Sequence, residues 1–363
     1  MKIIISCGGT GGHMFPGLAV GAELLRRGHA VTVLLSGRSV ESSGSAAIPE
    51  GAGTLSVPVV PVSVKRPLTL LKLASAVLRL LRAFRKGRPD AVLAMGSYTS
   101  IAPTLAARLL HIPVVLHEAN AIPGDAVRKL ARFATRICIT FPEAAAHLPK
   151  GIPTDDTGVP LRAGFDRGIG ATKADPEAFT LLVMGGSQGA ADVNDAVVAA
   201  LAKMRDKDPS HFSRLRVTHL AGTRNEEAVR ALYKATALRG DAFRIIGFSN
   251  EMARHYAESN YCISRAGASS CFELALSGLP ALFVPLPGLA RDHQTFNARS
   301  MADRGAGEWK AQADLSPEWL ADRLAAAMDR PDDLAKLREG LLRAARPDAA
   351  ERVANSVEAA ARH

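Results

Sequence analysis

Short apolar runs alternate with longer stretches of helical periodicity along the chain. Residues 3–5 read as a strand, followed by a glycine-rich segment and a helix from about 16 to 27. Residues 30–35, 91–95, 113–116 and 136–140 read as further strands. These runs are apolar on both faces, as in a parallel sheet covered by helices on both sides. The pattern then restarts. Residues 180–184 read as a strand leading into a second glycine-rich segment and a helix, and strands recur near 216–220, 243–247, 261–264 and 281–284. Two arrays that open alike predict an α/β chain of two Rossmann-like domains facing each other, with ligand at the carboxyl ends of the strands. The boundary is expected within 151–170, a stretch rich in Gly, Pro and Asp, and the last helix, 348–362, is expected to pack back on the first domain.

The two glycine-rich segments are the first candidate chemistry. Gly8-Gly9-Thr10-Gly11-Gly12 and Gly185-Gly186-Ser187-Gln188-Gly189 each follow a strand and precede a helix. Glycine lets the backbone approach a ligand, and the helix N-terminus offers unpaired N–H groups to a phosphate. A dinucleotide fingerprint would place its third glycine at Met14, and residues 34–38 hold no acid for a ribose. A Walker loop needs Gly-Lys-Ser/Thr, which neither segment has. A nucleotide without nicotinamide chemistry, such as a nucleotide-sugar, remains. Asp206-Lys207-Asp208 sits in a charged stretch and reads as a solvated loop, so no metal site is expected.

Charge sharpens the picture. The 363 residues carry 45 Lys and Arg against 35 Asp and Glu, a net +10 that favours anionic partners. Residues 51–89 contain no acid but hold Lys65, Arg66, Lys72, Arg79, Arg82, Arg85, Lys86 and Arg88. Helical spacing over 68–86 clusters Leu70, Leu73, Val77, Leu80, Leu81 and Phe84 opposite Lys72, Arg79, Arg82 and Lys86. Such a helix can lie on an anionic membrane, or be a surface helix with its apolar face in the core. Phe84 and Tyr98 are too few aromatics for a stacking platform, so nucleic acid is not expected. Cys7, Cys138, Cys262 and Cys271 form no C-x-x-C pair and fit a reducing cytoplasm. The opening residues read as a strand rather than a signal peptide, and no apolar run approaches the roughly 18 residues of a spanning helix.

In order along the chain stand GGTGGHMFPGLAV, PVVLHEANAIPG, TGVPLR, GGSQGA, RAGASSCFELALSGLPALFVPLP and DHQTFNA, with ERVANSVEAAA near the end. Together they strongly resemble the MurG family, bacterial glycosyltransferases of peptidoglycan synthesis. The resemblance implies a GT-B fold with parallel sheets facing a central cleft. It implies an acceptor- and membrane-binding domain over 1–162, a UDP-sugar domain over 163–346, and the helix 347–363 returning to the first. It implies a peripheral enzyme on the cytoplasmic face of the cell membrane, using no cofactor. That enzyme would move N-acetylglucosamine from UDP-N-acetylglucosamine to the muramyl 4-hydroxyl of undecaprenyl-linked lipid I, giving lipid II with inversion. Another GT-B enzyme acting on a different membrane lipid, and a non-catalytic scaffold that binds nucleotide-sugar, are the competing readings.

Residue by residue, the resemblance places Thr10, Gly11 and Gly12 at a diphosphate. His13 is expected to be the general base, against a structural histidine as the bland alternative and His117 and Glu118 as rivals. Asn120 matches a donor or acceptor contact, and Arg162 a hinge position that could meet a diphosphate. Ser187 and Gln188 match the loop near the UDP phosphates. Ala268, Ser269, Ser270 and Glu273 match the nucleotide site, with Glu273 accepting both ribose hydroxyls. Ser249 matches a position that reads uracil through its backbone, and Gln294 one that holds the sugar hydroxyls. The chain departs from the family at His117-Glu118-Ala119-Asn120, where HEQN is usual, at Gly158-Val159-Pro160-Leu161-Arg162, where GNPVR is usual, and at Gly96-Ser97-Tyr98, where GGY is frequent.

Overall fold

The computed structural model of the chain describes every residue except 9–10, 36–47, 57–66, 163, 166, 186–189, 239 and 363. Two compact units emerge: Met1–Ala163 with Arg346–His363, and Gly164–Ala345. The first holds β1 (Lys2–Ser6), α1 (Gly11–Arg26), β2 (Ala30–Leu35), β3 (Gly53–Ser56), α2 (Pro67–Lys86), β4 (Ala91–Ala94), α3 (Ile101–Leu109), β5 (Val114–Glu118), α4 (Asp125–Leu130), β6 (Arg136–Ile139) and β7 (Thr154–Asp156). The second holds β8 (Phe179–Met184), α5 (Ala191–Lys207), α6 (Pro209–Arg214), β9 (Leu215–Leu220), α7 (Glu226–Ala235), β10 (Phe243–Ile246), α8 (Met252–Glu258), β11 (Tyr261–Ser264), α9 (Ala268–Ser277), β12 (Ala281–Phe283), α10 (His293–Asp303), β13 (Glu308–Trp309), α11 (Pro317–Asp329) and α12 (Pro331–Ala344). The terminal helix α13 (Ala349–Ala361) belongs to the first unit.

Both sheets are parallel and share one strand order, β3-β2-β1-β4-β5-β6-β7 in the first unit and β10-β9-β8-β11-β12-β13 in the second. In the first, Ile5 lies opposite Val33 on one side and Leu93 on the other. One face of that sheet packs Ile3, Ile5 and Leu93 against Leu18 and Leu24 of α1 and Val353 and Val357 of α13. The other face packs Val92, Leu116 and Ile137 against Leu80 and Phe84 of α2 and Ala106 of α3. The order of strands reverses between β1 and β4, and again between β8 and β11. Parallel sheets bind ligands at the carboxyl ends of the strands flanking such a reversal, because the chain leaves the two strands toward opposite faces.

Helix α1 begins at Gly11, five residues before the predicted start, and Pro16 lies inside it. Packing outweighs the poor propensity of two glycines and a proline: Met14, Gly17 and Leu18 are all buried. Gly17 has a particular reason. A Cβ there would lie 2.3 Å from Cys7 Cβ and 3.1 Å from Met95 Cγ, so only glycine lets α1 sit this close to the ends of β1 and β4. Gly17→Ala is therefore expected to destabilise the first unit by about 1–3 kcal/mol. A urea denaturation midpoint equal to wild type would refute it.

Two other expectations change. The charged stretch at 206–208 is no open loop: Asp206 and Lys207 form the end of α5, and Asp208 caps α6 by accepting the His211 N–H at 3.2 Å. On α2, Ala76, Leu80 and Phe84 form the buried face, while Leu70, Leu71 and Leu78 stand exposed. Leu70 thus leaves the core face assigned to it and stands exposed, as Lys72, Arg79, Arg82, Arg85 and Lys86 do. Lys65 and Arg66 lie outside the described residues.

Candidate functional site

In the first unit, the reversal between β1 and β4 is where α1 begins. The N–H groups of Gly11, Gly12 and His13 are the leading donors of α1, with no acidic residue in its first turn. His13 Nδ1 lies 2.8 Å from the Met95 carbonyl oxygen. A carbonyl only accepts, so Nδ1 is the donor, which in the neutral ring leaves the lone pair on Nε2. The neighbouring turn is built around that ring. Gly96 has φ +87°, and a Cβ there would lie 3.3 Å from His13 Cε1 and 3.6 Å from the His117 carbonyl oxygen. Ser97 follows with φ +64°, a left-handed conformation uncommon for serine. The turn is tied down by Thr99 Oγ1 donating to the Gly8 carbonyl at 3.0 Å and Ser6 Oγ donating to the Thr99 carbonyl at 3.1 Å.

His117 and Glu118 end β5, and both are buried. His117 Nε2 donates to the Gly158 carbonyl at 3.1 Å, and burial pushes the imidazole down to about 4. Glu118 Oε1 accepts from Asn120 N at 2.8 Å and Asn120 Nδ2 at 3.1 Å, and Oε2 accepts from Gly124 N at 2.9 Å. Burial raises its carboxyl to about 7, against the pull of those same donors. The two rivals of His13 are thus engaged with the scaffold, and Glu118 is what holds Asn120. Arg162 lies with its guanidinium 5.7 Å from the centre of the Phe15 ring, beside the second turn of α1.

In the second unit, the reversal between β8 and β11 is where α9 begins, capped by Gly267. Ala268 is buried, and Ser269, Ser270 and Glu273 are half-buried along its first turns. Tyr256 of α8 donates its hydroxyl to Glu273 Oε2 at 2.9 Å. Ser249, before α8, accepts the Glu251 N–H at 3.1 Å and is hydrogen-bonded to His255 Nε2 at 2.8 Å. Gln294, in the first turn of α10, accepts the Leu286 N–H at 2.9 Å through Oε1. Arg265 is buried after β11 and donates to the Val284 and Pro285 carbonyls at 3.1 and 3.2 Å. Asn297 Nδ2 donates to the Ala266 carbonyl at 3.1 Å, tying α10 to the same exit. Thr10, Ser187 and Gln188 lie outside the described residues.

Residues 3–139 match the glycosyltransferase family 28 N-terminal domain, and residues 180–353 its C-terminal domain. A protein of Rhodospirillum rubrum named UDP-N-acetylglucosamine–N-acetylmuramyl-(pentapeptide) pyrophosphoryl-undecaprenol N-acetylglucosamine transferase is 38% identical over 367 residues, spanning 100% of this chain and 93% of that protein. A protein of Burkholderia ambifaria with the same name is 37% identical, spanning 97% of this chain and 94% of its own length. The crystal structure of Acinetobacter baumannii MurG superposes with a TM-score of 0.79 at 29% identity, covering 99% of this chain and 100% of that one. The chain belongs to the MurG family.

Its two parallel-sheet Rossmann-like domains are of the GT-B class. In this MurG-family chain the first unit gathers Gly11, Gly12, His13 and Arg162 around the start of α1, and sets Asn120 on the loop after β5. The second joins the Ser249 loop and Glu273 through α8, while α10 carries Gln294. Sequence reading missed Tyr256, His255, Gly96 and Arg265. The left-handed φ at Gly96 had a signal, a glycine directly after an apolar run. Tyr256 had none, because its partner is 17 residues away on another helix.

Proposed function

We propose that the chain transfers N-acetylglucosamine from UDP-N-acetylglucosamine to undecaprenyl-pyrophosphoryl-linked N-acetylmuramyl pentapeptide, lipid I, and so makes lipid II for peptidoglycan. Full-length identity to relatives named for this transfer carries the reading. Polar residues at the matching reversal of both sheets support it.

The transfer is a single displacement with inversion. The muramyl 4-hydroxyl oxygen attacks the anomeric carbon, the bond from that carbon to the UDP phosphate oxygen breaks, and the hydroxyl proton goes to His13 Nε2. Gly11 and Gly12, with Thr10 and Arg162, hold diphosphate by N–H groups and positive charge. In the second unit Glu273 accepts the ribose hydroxyls, Ser249 presents its backbone to uracil, Gln294 holds the sugar, Ala268, Ser269 and Ser270 serve the nucleotide, and Ser187 and Gln188 are assigned to the leaving phosphates. Donors there stabilise UDP as it leaves.

The acceptor's lipid places the enzyme at the cytoplasmic face of the membrane. Among the described residues no helix is long and apolar enough to cross a membrane. Helix α2 instead offers Leu70, Leu71 and Leu78, exposed at 49%, 68% and 53%, among five exposed basic residues. Each such charge contributes about 1 kcal/mol at an anionic surface. Replacing Lys72, Arg79 and Arg82 together by Ser is expected to weaken sedimentation with anionic liposomes about 100-fold at low salt. Unchanged binding would remove α2 from the membrane.

The deciding experiment is UDP release from UDP-N-acetylglucosamine with and without a short-chain lipid I analogue. Release that requires the analogue and yields a disaccharide supports the proposal. Binding of donor without turnover, or turnover on a different lipid alone, overturns it.

A further inference from the structure

We propose that Tyr256 and His255, neighbours on α8, are positioning residues for the donor nucleotide, Tyr256 by fixing the Glu273 carboxylate and His255 by fixing the Ser249 loop. The inference rests on the assignment of Glu273 to the ribose and Ser249 to the base.

A single short helix carries both braces. Tyr256 is fully buried, its ring packed 5.7 Å from that of Phe165, and its hydroxyl donates to Glu273 Oε2 at 2.9 Å. The same hydroxyl lies 3.9 Å from the sulfur of Met184, the last residue of β8, so it sits where the sheet reverses order. A glutamate on a helix has three freely rotating bonds, and ordering it when ligand arrives costs side-chain entropy. A buried tyrosine with two rotatable bonds holds the carboxylate beforehand, so that ordering is complete before the nucleotide binds.

His255 performs the same task one residue earlier. It is buried, its Nε2 meets Ser249 Oγ at 2.8 Å, and its Nδ1 finds no hydrogen-bond partner among the described residues. Ser249 Oγ also accepts the Glu251 N–H at 3.1 Å, so the loop residue is tied both to the start of α8 and to its second turn. Helix α8 is itself anchored. Its last carbonyls are taken by Ala171 N on Tyr256 O at 3.1 Å, Lys173 N on Ala257 O at 2.8 Å and Ser259 Oγ on His255 O at 2.7 Å. Nothing about either side chain requires a ligand contact; each acts through the residue it holds.

The test is a cycle between variant and ligand, read by calorimetric titration of the full chain with UDP, 2′,3′-dideoxy-UDP and CDP. Tyr256→Phe removes one oxygen and keeps the ring. It is expected to weaken UDP binding about 10-fold and leave 2′,3′-dideoxy-UDP binding unchanged, since that ligand makes no ribose contact to lose. His255→Ala is expected to shrink the preference for UDP over CDP about 10-fold while the dideoxy preference stays, and His255→Gln, whose amide nitrogen can meet Ser249, to restore it. In turnover, Tyr256→Phe is expected to raise KM for donor with kcat at saturation within about twofold of wild type.

Equal losses for UDP and the dideoxy ligand, or an unaltered UDP preference in both variants, overturn the inference. If Glu273→Ala leaves the preference for UDP over the dideoxy form intact, the donor assignment itself has failed. If Glu273→Ala abolishes that preference and Tyr256→Phe does not touch it, the assignment stands and the positioning role falls.

Discussion

Replacing His13 with alanine is expected to lower kcat by about 10²–10⁴, the usual contribution of a positioned general base, while KM for UDP-N-acetylglucosamine stays near wild type. The imidazole is held from behind: Nδ1 donates to the Met95 carbonyl at 2.8 Å, which sets the tautomer and leaves the lone pair on Nε2. The ring lies against the Gly96 turn, where a Cβ would stand 3.3 Å from its Cε1. His13→Asn separates the two functions of the ring. Its amide keeps a donor near the Nδ1 position for Met95 but offers no base. Both variants should therefore fold and bind donor, and both should lose turnover. Wild-type turnover in His13→Asn would show that the imidazole is a strut for the turn and that the base lies elsewhere.

The second large effect is on stability and depends on pH. Burial raises the Glu118 carboxyl from its ordinary 4.5 to about 7 in the folded chain. The folded state therefore holds its proton more tightly than the unfolded state. Below pH 4.5 both states are protonated and the group's full contribution is present. Between 4.5 and 7 the unfolded chain gives up its proton first, and stability falls as pH rises. Above 7 the contribution is gone. That rise corresponds to about 3 kcal/mol. The difference in unfolding free energy between wild type and Glu118→Gln should change by that amount from pH 4.5 to 7.5, in the direction that disfavours wild type at higher pH. A flat difference would mean that the donors of Asn120 and Gly124 hold the carboxylate ionised throughout. The prediction bears on the proposed function because Glu118 accepts two hydrogen bonds from Asn120, the residue proposed to contact donor or acceptor.

The central strands of both sheets were legible because they are buried on both faces, and a run such as residues 180–184 announces that without reference to anything else. The strands that escaped, β3, β7 and β13, are all at sheet edges. β3 is almost wholly exposed, and β7 is Thr154-Asp155-Asp156, whose Asp155 pairs with Arg136 at 2.8 Å. Edge strands of two to four residues need no apolar face, so they leave no periodicity to read. For the same reason β7 was absorbed into the expected boundary. The amphipathic span of α2 was legible, but its period could not tell which leucines the sheet would cover. Ala76, Leu80 and Phe84 were chosen by contact with Val92 and Leu116, and Leu70 was left outside.

By itself the sequence determined the residue types proposed to carry the chemistry: the glycines after two strands, a histidine at the end of the first glycine segment, and a glutamate in the segment after a later strand. Local order is enough for these, since strand, turn and helix are set by neighbours within a few positions. Tertiary structure alone decided what those residues touch. His13 meets a carbonyl 82 residues away, and Arg27 and His29 meet Glu358 of α13 at 3.2 and 2.9 Å across more than 300 residues. Tyr256 reaches Glu273 because α8 leads into β11 and α9 leaves it, so one strand sets both helices. Such contacts follow from strand order, which is fixed by the packing of whole layers and not by any local spacing of residue types.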